Sequence, residues 1–296
     1  MFYAKKSLGQ NFLKSEKILA KIIQTADLKD GDLVLEIGPG KGVLTEKLLE
    51  KVKKVVAVEK DARLIEFLRN KFALDIQNGK LELISADILD FQLPNFRFGH
   101  SMSKFGGRYK IVANIPYYIT GKFLRKFLSA DCQPSKMVLL LQKEVARRIV
   151  GSAKTEGGAK QTVKESILSI SVKVYGEPKY IQTVKAENFA PAPKVDSALL
   201  LIDNISKNFF KNIDEAVFFQ LIRAGFSKKR KMLVNNLSQR ERGVGSTHLV
   251  VGVPSGGKEG LVQIFEKVGL SPKIRAEDLS LSEWQNLYRA RGNSKW

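Results

Sequence analysis

The stretch Val34-Leu35-Glu36-Ile37-Gly38-Pro39-Gly40-Lys41-Gly42 constrains this chain more than any other. Residues 34–37 read as a compact apolar strand interrupted only by Glu36. The glycines that follow carry no Cβ, so the backbone can turn sharply and lie close against a ligand. A helix starts over residues 44–49, and Val55-Val56-Ala57-Val58 forms a second strand ending at Glu59. Strand, Gly-rich turn, helix, strand and terminal acid make the nucleotide-binding half of a doubly wound α/β fold. The Glu59 carboxylate can accept hydrogen bonds from ribose hydroxyls. A dinucleotide fingerprint runs Gly-x-Gly-x-x-Gly, and here the third glycine comes one residue early. That spacing suits a smaller adenosine cofactor such as S-adenosylmethionine.

Two further strand ends carry side chains of matching chemistry. Residues 81–84 read as a strand followed by Ser85-Ala86-Asp87-Ile88. Asp87 therefore sits where open α/β sheets bind ligands. Alone it reads as a turn or helix-capping acid. Between the strands that end at Glu59 and Asn114 it reads as an acceptor for an adenine amino group. The apolar run 109–113 opens into Asn114-Ile115-Pro116-Tyr117. Pro116 fixes its own φ and biases Ile115 away from helix. An amide and a phenol ring are left at the lip of the sheet. The amide oxygen can accept from an exocyclic amine and the ring can stack on a base. Taken alone, the tetrapeptide is a turn with an exposed Tyr.

Charge narrows the partner. Lys and Arg number 50 against 30 Asp and Glu, a net charge of +20 over 296 residues. An excess this large and this spread out implies a polyanion, and nucleic acid is the economical choice. The length is enough for two modest domains. Cys132 is the only cysteine, so no intrachain disulfide can form, and with only His100 and His248 no Cys/His metal site can be assembled. The basic N-terminus has no signal-peptide core behind it. No apolar run approaches the roughly 18 residues of a transmembrane helix. A cytoplasmic, soluble monomer with no membrane partner is expected.

These motifs together resemble the ribosomal RNA adenine N6,N6-dimethyltransferases, and among them the type that modifies small-subunit ribosomal RNA. The likeness spans nearly the whole chain. It is carried by KKSLGQNFL (5–13), EIGPGKGVLT (36–45), VEKD (58–61), ADILDF (86–91) and NIPYYIT (114–120). It continues through LQKEVARRI (141–149), NFAPAPKVDSAL (188–199), GFSKKRKMLVNNL (225–237) and EDLSLSEWQNLY (277–288). The resemblance implies a Rossmann-like S-adenosylmethionine-dependent methyltransferase domain with a smaller all-helical C-terminal domain. It implies S-adenosylmethionine as the methyl donor, no metal, and immature small ribosomal subunits as partner. The implied reaction dimethylates the N6 amines of two adjacent adenosines in a 3′-terminal hairpin of 16S rRNA. Cofactor contacts fall on Asn11, Leu13, Gly38, Glu59, Asp87 and Asn114, with Asn114 touching the target as well. Tyr117 and Phe189 match the aromatics that sandwich a flipped adenine. Two other readings stay open: a large-subunit (23S) enzyme conferring macrolide resistance, and a non-catalytic small-subunit assembly factor. The basic segment 226–230 and the Asp196-Ser197 pair favour the small-subunit enzyme. A dinucleotide oxidoreductase is disfavoured by the glycine spacing and the charge.

Periodicity organises the rest. Ile18, Leu19, Ile22 and Ile23 lie at helical spacing behind the basic arm. The arm and α/β domain are expected over 1–203 and a helical RNA-binding domain over 204–296. Residues 138–141 read as a strand, 143–150 as a helix and 151–164 as a Gly-, Lys- and Thr-rich mobile loop. Residues 167–175 and 198–202 read as the last strands, an antiparallel hairpin edge. Phe218, Leu221, Ile222 and Gly225 stripe one later helix, Leu261, Ile264, Phe265 and Val268 another, and Leu279, Trp284 and Leu287 a third. Lys228-Lys229-Arg230-Lys231 is expected to contact phosphate, positioning RNA without reading bases. Segments 94–108 and 243–257 depart from the family pattern and read as disordered connections.

Overall fold

A computed structural model describes residues 4–5, 8–91, 109–154, 160–162, 164–238 and 257–290. In chain order the strands are β1 (Phe12–Leu13), β2 (Leu33–Ile37), β3 (Lys54–Glu59), β4 (Leu81–Ser85), β5 (Lys110–Asn114), β6 (Lys136–Gln142), β7 (Ser152–Lys154), β8 (Lys160–Thr162), β9 (Glu177–Val184), β10 (Phe189–Ala190) and β11 (Ser197–Asp203). The chain forms two compact units. The first takes residues through Val150 together with Tyr175–Ser206, and the second takes Gly151–Val174 together with residues from Lys207 on. Histidines 100 and 248 and segment 94–108 lie outside the described residues, as does 243–257 apart from Gly257.

The first unit is built on a seven-stranded sheet in the order β4-β3-β2-β5-β6-β11-β9. Its first five strands are parallel. β11 then runs antiparallel to β6 and to β9. Val34, Val55, Val112, Val138 and Leu199 belong to one core with Leu19 and Ile22 of the Glu16–Ala26 helix. Near-continuous apolar strands are what a sheet covered on both faces requires. The chain winds outward from β2 through β3 to β4, then crosses back to β5 and β6. The winding reverses between β2 and β5, where Ile37 pairs with Ala113.

Glu36 breaks the apolar rule. It is 1% exposed in the middle of β2. Neither its Oε2 nor the nearby Thr45 hydroxyl has a well-formed partner among the described residues. Burial pushes the Glu36 carboxyl up to about 8, the Glu59 charge adds to this, and Thr45 partly offsets it. An ionised carboxylate at this depth would be costly, so the group stays protonated instead.

The N-terminal arm lies on the first unit at two places. β1 pairs with β10, Leu13 opposite Phe189. Closer to the start, Asp61 gathers the arm at the end of β3. Its side chain is 1% exposed and accepts from Gln10 Nε2 at 3.0 Å, Arg63 Nη2 at 2.7 Å and Lys5 Nζ at 3.4 Å. Arg63 above all, with Gln10, holds the Asp61 carboxyl well below the usual carboxylate range.

The second unit corrects two expectations. Residues 167–175 do not form a strand: Ile167–Lys173 is a helix. Its β-branched residues suggest strand, but Ser166 and Ser169 close a capping box across its first turn, and that local geometry prevails. The true antiparallel partner of β11 is β9. Within 151–164, β7 and β8 pair as a short ribbon, Ser152 opposite Thr162, rather than forming only a loop. The C-terminal part is helical as expected, with Phe218, Phe265 and Trp284 fully buried. Gly225 is fixed by packing, since a Cβ there would lie 2.4 Å from the Trp284 ring.

Two outcomes follow from this packing. The folded pKa of Glu36 lies above the roughly 4.3 of an unfolded chain. The native state therefore keeps a proton that the unfolded chain gives up between those values, and stability falls as pH rises through that window. In thermal melts Glu36→Gln should raise Tm at pH 8 by several degrees, with the gap narrowing towards pH 5. Asp61→Asn removes the charge that holds Lys5, Gln10 and Arg63. Hydrogen exchange of the β1 amides should accelerate roughly tenfold or more, the scale of one charge-assisted hydrogen bond, with β2 and β3 unchanged.

Candidate active site

The switch point of the sheet opens into a cavity of about 1070 Å³, counting the space open to solvent. It lies outside the carboxyl ends of the strands, where open α/β sheets bind ligands. Its floor is the turn after β2. Gly38, Gly40 and Gly42 have φ of 63°, 60° and 75°, the left-handed region that favours glycine. The turn has no room elsewhere: a Cβ on Gly40 would lie 2.9 Å from the Phe12 ring, and one on Gly42 2.5 Å from Phe72. At Gly38 nothing lies within 4 Å of a Cβ position, so the backbone there faces open space that a ligand can fill.

Glu59 is buried at the end of β3, where its carboxylate accepts three backbone N–H groups: Gly40 at 3.2 Å, Lys60 at 2.9 Å and Asp61 at 2.9 Å. Burial raises its pKa and those N–H groups oppose the rise. Two carboxylate oxygens offer about four acceptor positions, so Oε2, which takes only Gly40, still has capacity for a ribose hydroxyl. Asp87 is half-buried beyond β4. It pairs with Lys60 Nζ at 2.7 Å and accepts from the Leu89 N–H at 2.8 Å. The Lys60 ammonium is the main cause that lowers the Asp87 carboxyl. A carboxylate at this position can accept a hydrogen bond from an amino group.

Asn114 ends β5 on the other side of the switch. Its Nδ2 donates to the Asn11 carbonyl at 2.9 Å, which fixes the amide plane. Asn11 in turn donates to the Gly9 carbonyl at 3.1 Å. The arm thus orients the amide, and Asn114 Oδ1 carries no hydrogen bond among the described residues. Tyr117 opens a 3-10 turn, and its hydroxyl meets Ser197 Oγ at 2.8 Å. Burial pushes the phenol up, with Ser197 partly offsetting it.

Asn11, Leu13, Gly38, Glu59, Asp87, Asn114 and Tyr117 all line this one cavity. Phe189 does not. It is 2% exposed and packs in the core, where β10 meets β1. Glu36 and Tyr118 line the cavity too, and sequence reasoning gave neither a role. An acid inside an apolar strand was the available signal for Glu36.

A second basic surface belongs to the second unit. Ser227, Lys228, Lys229, Arg230 and Lys231 are all exposed, between the helices Glu215–Gly225 and Leu233–Leu237. The buried Asn236 amide donates to the Gly225 carbonyl at 2.5 Å and the Lys228 carbonyl at 3.1 Å, bracing the loop from behind.

Comparison with known proteins agrees with this architecture. Ribosomal RNA small subunit methyltransferase A of Dehalococcoides mccartyi is 39% identical over 284 residues, covering 96% of this chain and 87% of that protein. Its namesake from Fusobacterium nucleatum is 35% identical over 290 residues, covering 97% of each. The crystal structure of a dimethyladenosine transferase from Plasmodium falciparum superimposes with a TM-score of 0.72 at 26% identity, covering 96% of this chain and 100% of that one. The first unit therefore has the Rossmann-like fold of S-adenosylmethionine-dependent methyltransferases. Residues 1–251 match the family described as ribosomal RNA adenine dimethylase, and with near full-length relatives above 30% identity the chain belongs to that family.

Proposed function

We propose that this protein transfers methyl groups from S-adenosylmethionine to the N6 amines of two adjacent adenosines in a 3′-terminal hairpin of 16S rRNA, within immature small ribosomal subunits. On this reading it is a cytoplasmic monomer that uses no metal. The observation that carries the proposal is the Asn114 amide, pinned by Asn11 at the switch point with its oxygen left to accept.

The donor set fits the cofactor: an open Gly38 backbone, a buried carboxylate for ribose and an ionised carboxylate for the adenine amine. When bound, S-adenosylmethionine supplies an electrophilic sulfonium methyl. The protein's own task is the amine. The lone pair of adenine N6 is delocalised into the ring, so the nitrogen is a poor nucleophile. Asn114 Oδ1 and the Ile115 carbonyl would accept its two hydrogens, draw the nitrogen towards a tetrahedral shape and free the lone pair to bond the methyl carbon as the carbon–sulfur bond breaks; a neutral thioether leaves and the surplus amine proton passes to solvent. Positioning and fixed dipoles supply most of the rate. Tyr117 offers a ring to the target base outside its stack. Phe189 is buried against the arm and off the cavity lining, so on this reading its ring reaches the base only after moving out of the core. The basic loop 227–231 grips phosphate and positions the RNA.

The deciding assay measures methyl transfer from labelled cofactor to undermethylated small subunits and, separately, to large-subunit RNA. Dimethyladenosine at two adjacent small-subunit positions is expected, and Asn114→Ala should abolish it while leaving RNA affinity nearly intact. A single modified adenosine in large-subunit RNA would transfer the proposal to that substrate, and equal loss of transfer and binding would remove Asn114 from the chemistry. Replacing Lys228, Lys229 and Arg230 with Ala should weaken RNA binding and flatten its salt dependence by about two to three in log–log slope. An unchanged slope returns that loop to an ordinary solvated face.

A further inference from the structure

Tyr118 is 61% exposed, the only aromatic among the exposed large apolar side chains of the described residues. It lines the cavity, as do Lys41 and Lys60, which are exposed as well. Rings of this size are normally buried, and neither the core nor the cofactor contacts derived above employ this one. Its place in the 3-10 turn Tyr117–Ile119 explains the exposure. At three residues per turn, successive side chains point about 120° apart. Tyr117 is turned to Ser197 and Ile119 is 5% exposed in the core, which leaves Tyr118 outward. One edge of the ring rests near the arm, where a Cβ on Gly9 would lie 3.5 Å from Cδ1.

We propose that Tyr118 is a stacking platform for the nucleobase next to the target adenosine, so that the RNA is gripped by two bases at the cavity mouth. The inference rests on the adenosine-methylating reading and deepens it. The divergence of the two tyrosines makes it the neighbour and not the target: Tyr117 and Tyr118 cannot cover opposite faces of one ring. Chemistry makes the occupant a nucleotide. A lone ring offers no contiguous apolar patch of the few hundred Å² that protein partners use. An exposed ring on a cavity that two lysines also line suits a base with its phosphate. Because the proposed targets are adjacent, the base held by Tyr118 during one round is the other substrate, kept at the mouth between transfers.

The test places 2-aminopurine beside the target adenosine in a hairpin RNA and follows its fluorescence with the full-length enzyme. Wild type should quench it. Tyr118→Ala should abolish quenching, raise KM for RNA roughly tenfold and leave cofactor Kd and kcat near wild type, whereas Tyr118→Phe should retain the wild-type behaviour. Unchanged quenching and KM in Tyr118→Ala would overturn the proposal. So would an equal loss of cofactor affinity, because the ring would then serve only to pack the arm. If wild type forms no dimethyladenosine yet quenching still depends on Tyr118, the methylation reading fails and the stacking platform stands.

Discussion

A parallel sheet that winds in both directions must reverse once, and at the reversal no crossover helix covers the strand ends. Each ligand-facing group of the first unit follows from that constraint. The reversal falls between β2 and β5, so the end of one strand supplies a glycine turn and the end of the other supplies Asn114. The adjoining strands β3 and β4 extend the same edge and present Glu59 and Asp87. The cavity is therefore a consequence of topology, and the side chains at four strand ends decide what it holds.

Those side chains are held with different stiffness, for electrostatic reasons. Glu59 is buried and tied to three backbone N–H groups, so it cannot move without breaking the glycine turn and the start of the next helix. Asp87 is anchored by one N–H and by a lysine that is itself half exposed, a contact that water screens and a ligand can replace at small cost. The Glu59 carboxylate is thus built into the backbone, while Asp87 keeps an exchangeable partner. Glu36 adds a buried protonated acid beside the same turn, an uncommon expense that a purely structural strand would avoid.

The parallel half of the fold and the gathering of the strand-end residues around one cavity were legible because local chemistry and tertiary context agree there. Apolar runs end in Gly, Glu, Asp and Asn, each with one sensible use at the mouth of an α/β sheet. Legibility failed where short-range and long-range preferences diverge. Ile167–Lys173 is rich in β-branched residues, yet a two-serine cap commits it to helix. β9 has mixed polarity, since it lies at the sheet's edge, so no apolar run marks it. Phe189 matched an aromatic motif, but only the pairing of two-residue strands far apart in sequence shows that its ring is buried. Tyr118 carried no periodic signal, because its exposure arises from the phase of a single 3-10 turn.

The arm links these sites. Leu13 pairs with Phe189, Asn11 orients the Asn114 amide, Phe12 lies on Gly40, and Gln10 reaches Asp61 at the end of β3. One extended segment therefore covers the glycine turn and fixes the plane of the Asn114 amide. Released from Asp61, the arm would weaken both together, since the residues that wall the cofactor space and those that orient Asn114 are consecutive. Held there, it lets the cavity present a neutral amide at fixed angle, the arrangement that the proposed methyl transfer to an amine would use. The depressed Asp61 carboxyl is charged throughout the physiological range, so this hold does not depend on pH where the protein works.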